Sequence, residues 1–187
     1  MLSHGYRAVR NAVRYAAERF GARIIEAAVP FPRPQSSAIV ASIGAALTSR
    51  TRVAVIDHIT SPSALILPVA EICALCRSAG VAVLVDGAHT PGQVSLDLSA
   101  IGADWYVGNC HKWLYAPKGC GFLWAAPERQ KDLHPVTISH GFGEGFLAEF
   151  DWTGTADRSA FLCAPTAIDF HRCLGGDADD AEHGACR

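Results

Sequence analysis

Three stretches of this chain are apolar on both of the faces that a strand would present: "RVAVIDH" from Arg52 to His58, "VAVLVD" from Val81 to Asp86 and "DWYVGN" from Asp104 to Asn109. A strand with one wet face alternates apolar and polar residues, and these do not. Between them lie segments with helical signals. Pro68 to Ala79 starts with proline and ends at Gly80, and a shorter helical stretch runs from about Asp97 to Ile101. Doubly apolar strands joined through helices demand a mostly parallel sheet with helices on both faces, an α/β fold. "GCGFLWAA", Gly119 to Ala126, supplies a fourth strand. It follows the third too closely for a helical crossover, so it should run antiparallel to its neighbour.

The rest of the chain is expected to support this sheet. Tyr6 to Phe20 has helical spacing and stops at Gly21, and "ARIIEAAV", Ala22 to Val29, reads as a strand. Pro30, Pro32 and Pro34 mark a loop, Ser37 to Leu47 a second helix, Leu133 to Asp157 a long loop and Ser159 to Leu174 a last helix. The acidic residues 177–187 read as a frayed tail.

Composition narrows the partners. Half the residues are hydrophobic and the net charge is -2, which suits a globular core and recruits neither nucleic acid nor an anionic membrane. No apolar run matches a membrane span, and the start lacks a signal-peptide pattern, so a cytoplasmic location is expected. The arginine-rich first helix leaves a transit peptide as an alternative. Seven cysteines at irregular spacing do not make a disulfide framework. Cys73 and Cys76 form a CxxC inside a helix and read as buried thiols.

Ligands of parallel α/β sheets bind beyond the carboxyl ends of the strands. Asp57, His58, Thr60 and Ser61 follow the first strand, Asp86 and His89 the second, and Asn109, His111 and Lys112 the third. Two chemistries fit such a set. A metal-dependent hydrolase could take Asp57, His58, Asp86, His89 and His111 as ligands, but that leaves Lys112 without a task. An aldehyde cofactor needs a lysine amine for a Schiff base, and its pyridine nitrogen needs a carboxylate. Lys112 and Asp86 would fill those roles.

"VLVDGAHTPGQ" followed by "DWYVGNCHKWLYAPKGCGFL" resembles the core of the class V aminotransferases, pyridoxal-phosphate enzymes of fold type I. "DHITSP" and "GNCHKW" are similar to the isopenicillin N epimerase-like branch, and "WTGTAD" to the family's Gly-Thr turn. The resemblance implies pyridoxal 5'-phosphate as cofactor and an amino-acid substrate. It implies that Lys112 carries the Schiff base, that Asp86 pairs with the pyridine nitrogen, and that His89 and Ser61 lie near the ring's phenolic oxygen. It gives Asn109 and His111 to the phosphate, and to His4 the place that stacks on the ring. Thr155 would reach the phosphate of a neighbouring subunit, which implies a homodimer.

The family's phosphate-gripping turn would precede Met1, and its small domain would follow the end of this chain. Residues 1–176 are therefore expected to be a partial cofactor-binding large domain, truncated at both ends, with the small domain absent. A truncated remnant that only dimerises is the alternative on this reading. "HGFGEGF" lacks the strand–turn–helix setting of a phosphate loop and reads as a flexible loop. Cys110 and the four tryptophans read as packing residues.

Overall fold

The computed structural model describes residues 1–176. The tail expected to fray, residues 177–187, lies outside the described residues. Strands β1 (Val53–Asp57), β2 (Ala82–Gly87) and β3 (Trp105–Gly108) are parallel, and β4 (Phe122–Ala125) runs antiparallel to β3. Their order in space is β1-β2-β3-β4. The mostly parallel α/β sheet and the reversed fourth strand are thus both present.

Alternation along the strands sorts the core. Ala54 and Ile56 of β1, Val83 and Val85 of β2 and Tyr106 of β3 share one face and are buried. They pack against Ile39 and Ile43 of α2 (Ser36–Ala46) and against Val69, Ile72, Cys73 and Cys76 of α3 (Val69–Ser78). Burying side chains such as Ile56, Ile72 and Val85 contributes about 1.5–3 kcal/mol each, which is why this face organises the fold. Cys73 and Cys76 are core thiols, as their helical setting implied. The opposite face carries Val55, Leu84, Val107 and Leu123, which are half-buried, and Asp57 and Asp86 at its carboxyl edge.

The flanking helices are α1 (Arg7–Arg19), α4 (Leu98–Ile101), α5 (Pro127–Gln130), α6 (Phe146–Asp151), α7 (Ser159–Leu162) and α8 (Ala164–Cys173). Asp97 caps α4, its Oδ1 accepting the Ala100 N–H at 2.9 Å. Asp97→Ala is expected to cost about 1 kcal/mol, read as a lowered urea midpoint with an unchanged slope.

Three local expectations fail. Ala22–Val29 is not a strand of the sheet: its one bridge is Leu2 with Ala27, because it pairs with the short N-terminal run rather than with β1. The span Leu133–Asp157 is not loop throughout, since it contains α6 and the buried Glu149. Glu149 accepts hydrogen bonds from His134 Nδ1 (2.6 Å) and Gly143 N–H (3.3 Å), and the His134 bond holds its carboxyl below the usual range. The last helix breaks at Cys163, two residues before Pro165, whose ring disfavours a continuous helix. Among the described residues, no helix is long and apolar enough to cross a membrane.

Candidate active site

The chain leaves β3 at Gly108 and turns through residues 110–114, so Lys112 stands on a turn beyond the strand rather than at its end. Several contacts shape that turn. His111 binds the Cys120 carbonyl twice, through its backbone N–H (3.2 Å) and its Nδ1 (2.6 Å). Cys110 packs with Ala116, Cys120 and Ala167 in a small cluster beneath α7 and α8. From α8, His171 Nε2 donates to the Gly92 carbonyl at 2.9 Å. Gly92 has φ +85 and lies so close to the turn that a Cβ would meet the Trp113 carbonyl at 2.4 Å. Only glycine fits there.

Lys112 Nζ lies 3.2 Å from His89 Nε2. Trp113 Nε1–H donates to His89 Nδ1 at 3.2 Å. An imidazole that accepts at Nδ1 carries its hydrogen on Nε2. The Trp113 bond thus fixes the His89 ring with Nε2 turned toward Lys112 Nζ. Burial, then the Lys112 charge, lower the pKa of His89, which favours the neutral ring.

Asp86 ends β2 one strand away and is 8% exposed, with Oδ1 accepting the Ala88 N–H at 3.0 Å. Register sets Asp57 beside it on the same face. Burial, then the Asp86 charge, push Asp57 up to about 6. His58, one residue on, turns to the core face, where Nδ1 and the Tyr106 hydroxyl share a 2.8 Å hydrogen bond. Burial pushes His58 down to about 4 and Tyr106 up to about 12. This alternation separates His58 from Asp57 and Asp86, which undoes the five-residue metal set. Among the described residues, no group of three or more His, Cys, Asp or Glu side chains could hold a metal ion.

The other expected site residues divide. Asn109 borders the turn, and a Cβ on Gly121 would come within 3.2 Å of its Oδ1 and 2.9 Å of the Gly108 carbonyl. His4 Nδ1 bonds Ser63 Oγ at 2.8 Å beside the segment that leaves β1. Ser61 and Thr155 are exposed, and among the described residues neither joins the hydrogen bonds around Lys112. Trp113, read from sequence as packing, is 47% exposed and orients His89 instead. Its position directly after the lysine was the available signal.

Asp57 and His58 oppose each other in pH. Asp57 has a folded pKa of about 6 against 3.8 ordinarily, so the folded state binds more protons and stability falls as pH rises from about 4 to about 6. His58 has a folded pKa of about 4 against 6.5, so the unfolded state binds more protons and stability rises over nearly the same window. Wild-type stability should therefore be nearly flat between these limits. Asp57→Asn should expose a rise approaching about 1 kcal/mol per pH unit, and His58→Gln a fall of similar size, both read by denaturant titrations at stepped pH.

Comparison with known proteins decides the family. The model of the family described as "Aminotransferase class-V" matches residues 2–155. The chain belongs to the class-V aminotransferase family. This class-V chain is 41% identical over 186 residues to "Putative L-cysteine desulfhydrase 1" of Oryza sativa subsp. japonica, covering 94% of itself and 39% of the relative. It is 38% identical over 178 residues to isopenicillin N epimerase of Streptomyces clavuligerus, covering 87% and 45%. Among solved structures it matches the cystine C–S lyase C-DES in complex with its product cysteine persulfide, with a TM-score of 0.81, 25% identity and 95% and 50% coverage. The same enzyme has been solved as a lysine-to-alanine mutant with glycine covalently linked to the PLP cofactor. The chain thus spans 39% to 45% of the length of these curated relatives.

Proposed function

We propose that this chain carries the cofactor-binding part of a pyridoxal-phosphate enzyme that acts on an amino acid, with Lys112 as the covalent anchor. The carrying observation is the Lys112 Nζ–His89 Nε2 contact at 3.2 Å, one strand from the buried Asp86. The donor set suits the group. Lys112 offers an amine to an aldehyde, Asp86 a carboxylate to a protonated ring nitrogen, and His89 and Ser61 donors for the phenolic oxygen. Asn109 and His111 offer polar atoms to a phosphate where Gly121 leaves space, and His4 a flat ring. When bound, the cofactor supplies an electron sink that acidifies the Cα–H of an attached amino acid.

The chain's own residues do the rest. Lys112 Nζ is the base set to take the Cα proton, and its contact with His89 orients it. Asp86 would keep positive charge on the ring nitrogen, because a carboxylate favours the charged form of a cationic partner beside it. We favour cysteine as substrate, with loss of its thiol as sulfide, because the desulfhydrase and the C–S lyase both act at a carbon–sulfur bond by name. Epimerisation is the second reading, favoured by the Streptomyces relative. It needs the same first proton transfer, then return of the proton to the other face. On this reading the enzyme is a cytosolic homodimer, Thr155 of one protomer meeting the phosphate in the other.

Incubation with pyridoxal phosphate, borohydride reduction and peptide mass mapping tests the anchor. The tryptic peptide spanning Lys112 should gain the pyridoxyl mass at near-stoichiometric yield. Label spread evenly over Lys118 and Lys131 would reject the anchor and favour the remnant that only dimerises. Sulfide release from L-cysteine, against loss of optical activity without sulfide, separates the two reactions.

A further inference from the structure

Asp57 is the buried acid that the proposed function leaves without a task. It shares a sheet face and a register position with Asp86. Its surroundings point to the N-terminal turn. The Tyr6 N–H donates to Asp57 Oδ1 at 3.3 Å, and Tyr6 is the residue from which α1 springs. Gly5 passes so near that a Cβ there would sit 3.4 Å from Asp57 Oδ2 and 3.1 Å from the Leu2 carbonyl. His4, just before it, is held by Ser63, whose Oγ meets Thr60 Oγ1 at 2.8 Å. The turn Ser3–Tyr6 is therefore pinned at two points to the chain that leaves β1.

The charges acting on Asp57 disagree. Asp86 on β2 disfavours its ionised form, whereas the Tyr6 N–H, the Asp57 backbone and the Met1 amino group favour it. The positive end of the 13-residue α1 adds to the second group. Burial, the larger cause of the raised Asp57 pKa, would remain, but a cation beside Asp86 would remove the charge repulsion and lower the pH at which Asp57 gives up its proton. An ionised carboxylate is a stronger hydrogen-bond acceptor than a neutral acid.

We infer that Asp57 is a positioning residue: it fastens the Gly5–Tyr6 turn, and with it His4, to the strand ends beside Asp86, and its hold tightens when a cation neutralises Asp86. The inference rests on reading Asp86 as the partner of the ring nitrogen and His4 as the side chain that faces the ring.

The test is residue-resolved amide exchange at Tyr6 in the full chain, corrected for intrinsic rates, from about pH 5 to about pH 7.5, a window around the Asp57 midpoint. In wild type, protection should rise about tenfold through pH 6, the difference between a neutral and a charged acceptor. Asp57→Asn keeps an acceptor without the charge, so its profile should be flat. Asp57→Ala should lose protection at every pH. With pyridoxal phosphate bound, as its visible absorbance reports, the wild-type midpoint should move to lower pH. Equal, pH-independent protection in wild type and Asp57→Asn would overturn the tether. An unmoved midpoint with cofactor bound would overturn the coupling to Asp86. If no cofactor binds, the proposed function falls, and the cofactor-free profile decides the tether by itself.

Discussion

Lys112→Ala should abolish site-specific trapping of pyridoxal phosphate by borohydride. Three lysines exist in the chain, Lys112, Lys118 and Lys131, and the last two are exposed. Of the three, Lys112 alone is half-buried, with its Nζ 3.2 Å from His89 Nε2. Fixed placement of a nucleophile against a bound partner is what separates a site from a surface amine. The variant should keep some non-covalent affinity through Asp86, Asn109 and His111, seen as fluorescence quenching that saturates. Covalent label at residue 112 should vanish, leaving only slow, unsaturable modification at Lys118 and Lys131. Turnover of any amino acid should fall about 10²–10⁴-fold, the range for removing a positioned acid–base group. Saturable label and turnover that survive the substitution would reject Lys112 as anchor and base together.

Much of this arrangement is legible in the strands themselves. The runs "VAVID", "VAVLVD" and "WYVG" cannot sit at a wet surface, and a parallel sheet then brings Asp57, Asp86 and the Lys112 turn to one edge. Sequence order alone does not show which side of the sheet each residue takes. Asp57 and His58 are neighbours in the chain, yet register sends one toward Asp86 and the other toward Tyr106. Local patterning also misled where the partner was distant or short. Ala22–Val29 has strand-like residues, but its available neighbour is the run at Met1–Ser3, enough for a single bridge. The span holding Glu149 read as loop because the partners of that residue, His134 and the Gly143 N–H, become neighbours only once the segment folds back on itself. Trp113 follows the same rule, since its task depends on His89, which comes from another strand end.

Gly87→Ala should be the most disruptive single methyl in the sheet. Gly87 ends β2 directly after Asp86. A Cβ there would fall 2.2 Å from both Cε1 and the hydroxyl oxygen of Tyr106 and 2.3 Å from Cζ. Tyr106 is fully buried, stacked on Phe122 with ring centroids 6.2 Å apart, and bonded to His58 at 2.8 Å. The ring has no room to swing aside, and moving it breaks a buried hydrogen bond. Overpacking of this kind costs about 3 kcal/mol or more when the neighbour is rigid. For a domain of this size that lowers Tm by about 10 °C, measurable by thermal scanning. Tyr106→Leu removes the colliding atoms, so the double variant should recover a large part of the loss, a coupling that a mutant cycle reads directly. Because β2 must shift to admit the methyl, Asp86 moves with it, and cofactor affinity should fall in Gly87→Ala and return in the double variant. A stable Gly87→Ala protein with unchanged affinity would mean that Tyr106 does not hold the end of β2, and that Asp86 owes its position to something other than the core beneath it.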